Sequence, residues 1–67
     1  MSEPKFPDVH VQLTGQDGNA FAIMAAVKRE MRKAGVSEFD IGCFAEEAKA
    51  GDYNHLLKTC MEWVDVN

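Results

Sequence analysis

The chain is poor in the groups that carry chemistry. Cys43 and Cys60 are its only thiols, His10 and His55 its only imidazoles, and Ser2 and Ser37 its only serines. No C-x-x-C or H-x-x-x-H spacing joins the soft ligands, which argues against a metal site. His55 and Cys60 are five apart, about 140° around a helix, so they do not share a face. His10 belongs to a different element, and His55 reads as an exposed first-turn residue. Ser37 sits where a helix cap is needed, and Ser2 lies in the first few residues, so no Ser–His pairing suggests a nucleophile. Paired carboxylates such as Glu46-Glu47 occur on any acidic helix, and no pocket is evident that would shift their ionisation. Little of an active-site inventory can be filled. The expectation is a protein that is not an enzyme, with no cofactor and no metal.

Cationic charge and long apolar runs are also scarce. Seven Lys and Arg stand against eleven Asp and Glu, for a net charge of −4. That balance argues against nucleic acid and against an anionic membrane as the main partner. The longest unbroken apolar run is Ala20–Val27, far too short to span a bilayer. MSEPKFPD offers no apolar core of a signal peptide, and two cysteines without one read as free thiols in a reducing compartment. A cytoplasmic location is expected.

What is present suffices for one small domain. The chain has 67 residues, of which 46% are hydrophobic. A chain of this length buries only about 60% of the surface that its unfolded form exposes. Residues 1–8, with Pro4 and Pro7, read as a flexible N-terminal tail in which Phe6 is the one residue able to tuck in. Residues 9–67 form the domain.

The dominant stretch is GQDGNAFAIMAAVKREMRKAG, Gly15 to Gly35. Asn19 is a good N-cap, and Asp17 adds negative charge near the positive end of the helix dipole. Gly35 suits the left-handed C′ position. Ala20, Ile23, Met24, Val27, Met31 and Ala34 fall within one arc and predict the buried stripe. Arg29, Arg32 and Lys33 lie opposite, with Lys28 at the margin. Phe21 lies off the stripe, either packed under the preceding turn or exposed.

Before this helix, Val9, Val11 and Leu13 alternate with His10, Gln12 and Thr14, the period of a half-buried strand. After it, Ser37 caps a second helix with Asp40 as a capping-box-like partner, and Val36 and Ile41 are placed as a hydrophobic staple. Ile41, Phe44, Ala45 and Ala48 form its main apolar face, and Gly51 ends it. Gly42 in its interior implies either the close approach of a neighbour's backbone or a tolerated weak position. Asp52 caps a third helix, in which Tyr53, Leu56, Leu57, Cys60, Trp63 and Val64 follow helical spacing. The lone first strand needs a partner for its backbone groups. The expectation is that the helix gives way near Glu62 and that residues 63–66 pair with it; a helix to Val64, with the strand paired to a second copy, is the competing reading. The fold class expected is α+β: β-α-α-α-β, three short helices packed on a small two-stranded ribbon.

The run VQLTGQDGNAFAIMAAVKREMRKAG, together with GDYNHLLKTCMEWVDV, resembles a family of short, uncharacterised bacterial and phage proteins. They share an LTG-x-DGNAF opening, a basic helix ending in Ala-Gly, and a closing Trp-Val-x-Val. The resemblance covers residues 11–66. It implies a bacterial or phage source and assigns no activity, ligand or catalytic residue.

Three surfaces are candidates for function. Phe39, Cys43 and Ala50 project nearly opposite the Ile41 stripe, and a helix apolar on two sides is either sandwiched or offers one side to a partner. This makes a small interaction module, protein-binding or self-associating, the leading expectation. Lys28, Arg29, Arg32 and Lys33 could meet nucleic-acid phosphates as a weak, salt-sensitive contact, but no stacking aromatics are interleaved with them, and acidic residues of the next helix can balance them. Gly15, Gly18 and Asn19 could hold a small anion at the helix N-terminus. That loop lacks the lysine and hydroxyl of a P-loop, and it reads equally as a plain turn with a capped helix.

Overall fold

The structure, a computed structural model, describes residues 3–12 and 19–66. Local capping sets the three helices. The Asn19 side chain accepts from the amides of Phe21, at 2.9 Å, and Ala22, and opens α1 (Ala20–Lys33). The Ser37 hydroxyl accepts from the Asp40 amide at 3.2 Å and opens α2 (Glu38–Ala48). It also donates to the Asp40 carboxylate at 3.1 Å, so Asp40 meets the Ser37 hydroxyl rather than the backbone amide that a capping box engages. Asp52 accepts from the His55 amide at 2.9 Å and opens α3 (Tyr53–Trp63). Each acceptor satisfies an amide that the first helical turn leaves without a partner.

α1 stops in a Schellman motif. The Gly35 amide donates to the Arg32 carbonyl and the Val36 amide to the Met31 carbonyl, both at 3.0 Å. Gly35 takes φ 85°, which costs glycine nothing and most residues about 1 kcal/mol or more. Half-buried Val36 then packs against the core beside buried Ile41.

The strands differ from expectation in extent. β1 runs Phe6–Val11 and pairs in parallel with β2 (Val64–Val66). The element order β-α-α-α-β is therefore present, and α3 gives way to strand one residue past Glu62. However, β1 begins inside the stretch expected to be a tail. Phe6 stacks on Trp63 with ring centroids 5.9 Å apart, and the Lys5 amide donates to the Glu62 carbonyl at 3.0 Å. These anchors pull the start of the strand forward. Phe6 faces Val64 and His10 faces Asp65, with an irregularity between Phe6 and His10. Pro7 falls inside it, where its missing amide removes no ladder bond. Leu13, expected at the strand's end, lies outside the described residues. A parallel pair needs a long crossover, and here all three helices supply it.

The core gathers Val9 and Val11 of β1, Ile23, Val27 and Met31 of α1, Ile41, Phe44 and Ala48 of α2, Leu56, Cys60 and Trp63 of α3, and Val64. The α1 stripe is narrower than expected. Ala20 and Met24 are half-buried, and Ala34, at the C-cap, is exposed. Tyr53 at the start of α3 is also exposed, whereas Thr59, absent from the expected stripe, is buried.

Two glycines have opposite roles. A Cβ built on Gly42 meets nothing within 4 Å, so no neighbour's backbone approaches it. A Cβ on Gly51 would lie 2.7 Å from both Cβ and Cγ of His55. Gly51 is not needed for a left-handed turn, because Gly35 is the only described glycine with positive φ; it makes room for an imidazole. Gly42→Ala should raise unfolding stability by up to about 1 kcal/mol, and Gly51→Ala should lower it, as read by urea denaturation. Equal midpoints for the two variants would contradict this packing.

Candidate functional site

Three exposed residues of α2 stand together on the side away from the core. Ile41, Phe44, Ala45 and Ala48 turn inward and are buried. At 100° per residue, Phe39 and Cys43 then point outward. Phe39 is 78% exposed and Cys43 is exposed. With Gly42 between them, and Glu38, Glu46 and Glu47 around them, they line a shallow hollow open to solvent. The third residue expected on this surface, Ala50, is placed elsewhere. Helix α2 ends at Ala48 with Lys49 as its C-cap, so Ala50 belongs to the following turn and does not line the hollow. The acidic lining and the part played by Gly42 are not evident from apolar spacing alone.

The basic side of α1 is occupied. Arg32 grips Glu38 with two bonds, Nε to Oε2 at 3.0 Å and a terminal nitrogen to Oε1 at 3.3 Å. This bidentate bond holds the Glu38 carboxyl below the usual carboxylate range and raises Arg32 further; the charge of Lys28 adds to the Glu38 effect. Half-buried Glu30 takes Lys33 at 3.6 Å and Arg29 at 3.9 Å. Of the four cations expected to face nucleic acid, three already lie against carboxylates of this chain. The pairs at Glu38 also tie α1 to α2, so the two helices bring opposite charge together within one molecule.

At the anion loop, Gly15 and Gly18 lie outside the described residues. The Asn19 side chain is committed to the amides of Phe21 and Ala22, so capping consumes the donors an anion would use there.

The thiols and imidazoles lie apart. Cys60 is buried beneath the helices, and burial pushes its thiol up to about 11, which removes it as a nucleophile near neutral pH. Cys43 is free and exposed. His10 bonds through Nδ1 to Asp65 at 2.7 Å across the strand pair, on the exposed face. His55 is half-buried rather than exposed, with Nε2 at 2.8 Å from the Glu47 carbonyl and 3.4 Å from the Thr59 hydroxyl. A carbonyl only accepts, so Nε2 carries the proton, and His55 serves as a strut between α2 and α3. Among the described residues no three of His, Cys, Asp and Glu converge on a common point. A second apolar groove passes Phe21, Met24 and Tyr53. It joins side chains from the starts of α1 and α3 and so leaves no local signal.

No protein-family model matches the chain, and no curated protein or solved structure shows similarity to it.

Two outcomes check this geometry. Glu38 has a lowered carboxyl, so its stabilising effect is complete above the unfolded-state value and is lost as pH falls through the folded one. Glu38→Gln should therefore be less stable than the parent at pH 7, and the gap should close in acid, as read by denaturation at both pH values. For the thiols, a disulfide reagent at pH 8 should label Cys43 at once and Cys60 only on unfolding.

Proposed function

We propose that this chain is a small, non-enzymatic protein-interaction module, working in the cytoplasm, that engages its partner through the outer side of α2. The observation that carries this reading is Phe39: an aromatic ring 78% exposed beside a bare glycine and an exposed thiol. Isolated exposed apolar groups are ordinary, but a large ring bordering a hollow in a helix face is what an anchor of a partner fills. Burial of Phe39 by a partner supplies about 1.5–3 kcal/mol. Association costs about 4–15 kcal/mol, so Phe39 anchors an interface that must extend over its neighbours. Among the described residues no helix is long and apolar enough to cross a membrane. The bacterial or phage source rests on the resemblance of the LTG-x-DGNAF opening and the closing Trp-Val-x-Val.

A nucleic-acid role for Lys28, Arg29, Arg32 and Lys33 is the weaker reading, because binding would have to break the Arg32–Glu38 bonds before phosphates gained anything. An anion site at Gly15, Gly18 and Asn19 is weaker still.

The test uses Cys43 as a built-in handle. A photo-reactive maleimide on Cys43 should cross-link either to a second copy or to a partner which, once identified and purified, binds the chain directly. Phe39→Asp should weaken that binding by about tenfold or more without lowering the unfolding midpoint. Binding of the purified partner that ignores Phe39→Asp, or a strict monomer with no cross-link, defeats the proposal. In a parallel anisotropy titration with DNA and RNA, binding at moderate salt that is lost with Arg29→Glu and Arg32→Glu would favour the basic face instead.

A further inference from the structure

The charge around the α2 hollow selects among the things that could fill it. Glu38, Glu46 and Glu47 line it, and Asp40 lies on the same helix. Glu38 is matched by Arg32. Glu47 gives one oxygen to the Trp63 indole N–H at 3.3 Å, which spends part of its acceptor capacity but none of its charge. Among the described residues neither Glu46 nor Glu47 forms an ion pair, and the near cation, Lys49, is bonded to no carboxylate. The hollow is therefore apolar at Phe39, Gly42 and Cys43 and carries two unpaired carboxylates, Glu46 and Glu47, at its edge, with Glu38 neutralised by Arg32.

A second copy is a poor match for such a surface. A two-fold contact places the same patch against itself, so the acids of both copies would face one another. The strip is also short: α2 has 11 residues, about 16 Å of helix. Two such strips bury well under the ~1,200 Å² of a stable interface. Copies packed head to tail, acidic α2 against basic α1, would need cations that already hold Glu38 and Glu30.

We infer that the hollow over Gly42 takes a basic amphipathic segment of another protein, with one bulky apolar side chain seated between Phe39 and Cys43 and lysine or arginine side chains facing Glu46 and Glu47. This rests on the proposed interaction function and names the chemistry of its partner. The apolar anchor supplies contact area in the hollow. The cations supply choice of partner and speed of encounter more than affinity, as rim charges do. A short, charge-selected contact of this kind is weak and quickly reversed.

The experiment uses the whole chain, isotopically labelled, titrated with two synthetic peptides of matched amphipathic pattern, one built from leucine and lysine and the other from leucine and glutamate. The leucine–lysine peptide should shift amides concentrated in residues 38–47, and the leucine–glutamate peptide should not. Phe39→Ala and Glu46→Lys should each weaken the leucine–lysine peptide by about five- to tenfold, and Glu46→Lys should gain binding to the leucine–glutamate peptide. All of these positions are exposed, so the variants should not lower the parent's unfolding midpoint. Shifts spread over distant acids such as Asp8, Glu62 and Asp65 and indifferent to Phe39→Ala, or equal binding of both peptides, overturn the inference. If neither peptide binds and the parent sediments as a dimer that Phe39→Asp dissolves, the occupant is a second copy: the inference fails and the docking role of α2 stands. If neither peptide binds and the chain is monomeric, with no cross-link from Cys43, both fail together.

Discussion

Trp63 is the last residue of α3, and the backbone turns extended immediately after it. Its ring stacks on Phe6 of β1 and meets Phe44 of α2 edge to face, each with centroids 5.9 Å apart. The Lys5 ammonium lies 4.0 Å over the same ring, and the indole N–H reaches Glu47. One side chain thus fastens the first strand and the second helix to the point where the third helix becomes a strand. Aromatic rings carry the largest apolar area of any side chain, with a further gain of about 0.5–1.5 kcal/mol for each favourable ring pair. In a domain with so few aromatics that concentration matters. A three-residue β2 has too few ladder bonds to hold β1 alone. The parallel pair survives because Phe6, Val64 and Trp63 pack as one cluster beside it.

The orientation of α2 follows from its two ends. At its start, the Schellman turn at Gly35 and the Arg32–Glu38 bonds set the helix against α1. At its end, the His55 ring bridges the Glu47 carbonyl and sits where Gly51 has no side chain. Between these points, Ile41, Phe44, Ala45 and Ala48 are committed inward, and the outer side has no freedom to turn. Phe39 and Cys43 are exposed because burying them would expose four core residues, a trade that the hydrophobic effect forbids by several kcal/mol.

Legibility in the sequence tracks distance along the chain. The caps at Asn19, Ser37 and Asp52, the stop at Gly35 and both faces of α2 depend on residues no more than a few positions apart, and each appears as a spacing. The forward start of β1 depends on Trp63, and the His10–Asp65 bond joins residues 55 apart. Neither leaves a local trace, so Pro7 and Asp8 look like tail, and Phe6 is only the one residue able to tuck in, until the far end of the chain is brought beside them. His55 escapes for a related reason. Its partners, Glu47 and Thr59, are ordinary helical residues, and only the fold turns a first-turn imidazole into a strut. Ala50 carries the periodicity of α2 past the point where the helix ends. The acidic rim of the hollow looks like a solvated face until Gly42 is seen to leave a gap beside Phe39.

Most positions in this chain agree with the fold they occupy: caps cap, stripes bury, and the positive-φ site holds a glycine. That agreement lapses at Phe21 of α1 and Met61 of α3, which are exposed, and at three neighbouring positions on the outer side of α2. A phenylalanine in the first turn faces water, a glycine lowers helix propensity by up to about 1 kcal/mol with no neighbour to justify it, and a free thiol is exposed beside them. None of the three improves the packing of the domain, and each would be improved, for stability alone, by alanine or a charged residue. They also share one face. Local choices that work against the fold gather where a surface has a second task; the docking role proposed for α2 would use the ring of Phe39 and the bare helix surface at Gly42, while nothing in the structure explains the thiol of Cys43. Chemistry requires a converging set of acid, base and nucleophile. The docking role proposed for α2 calls instead for an exposed ring beside a bare stretch of helix, and Phe39 and Gly42 stand side by side there.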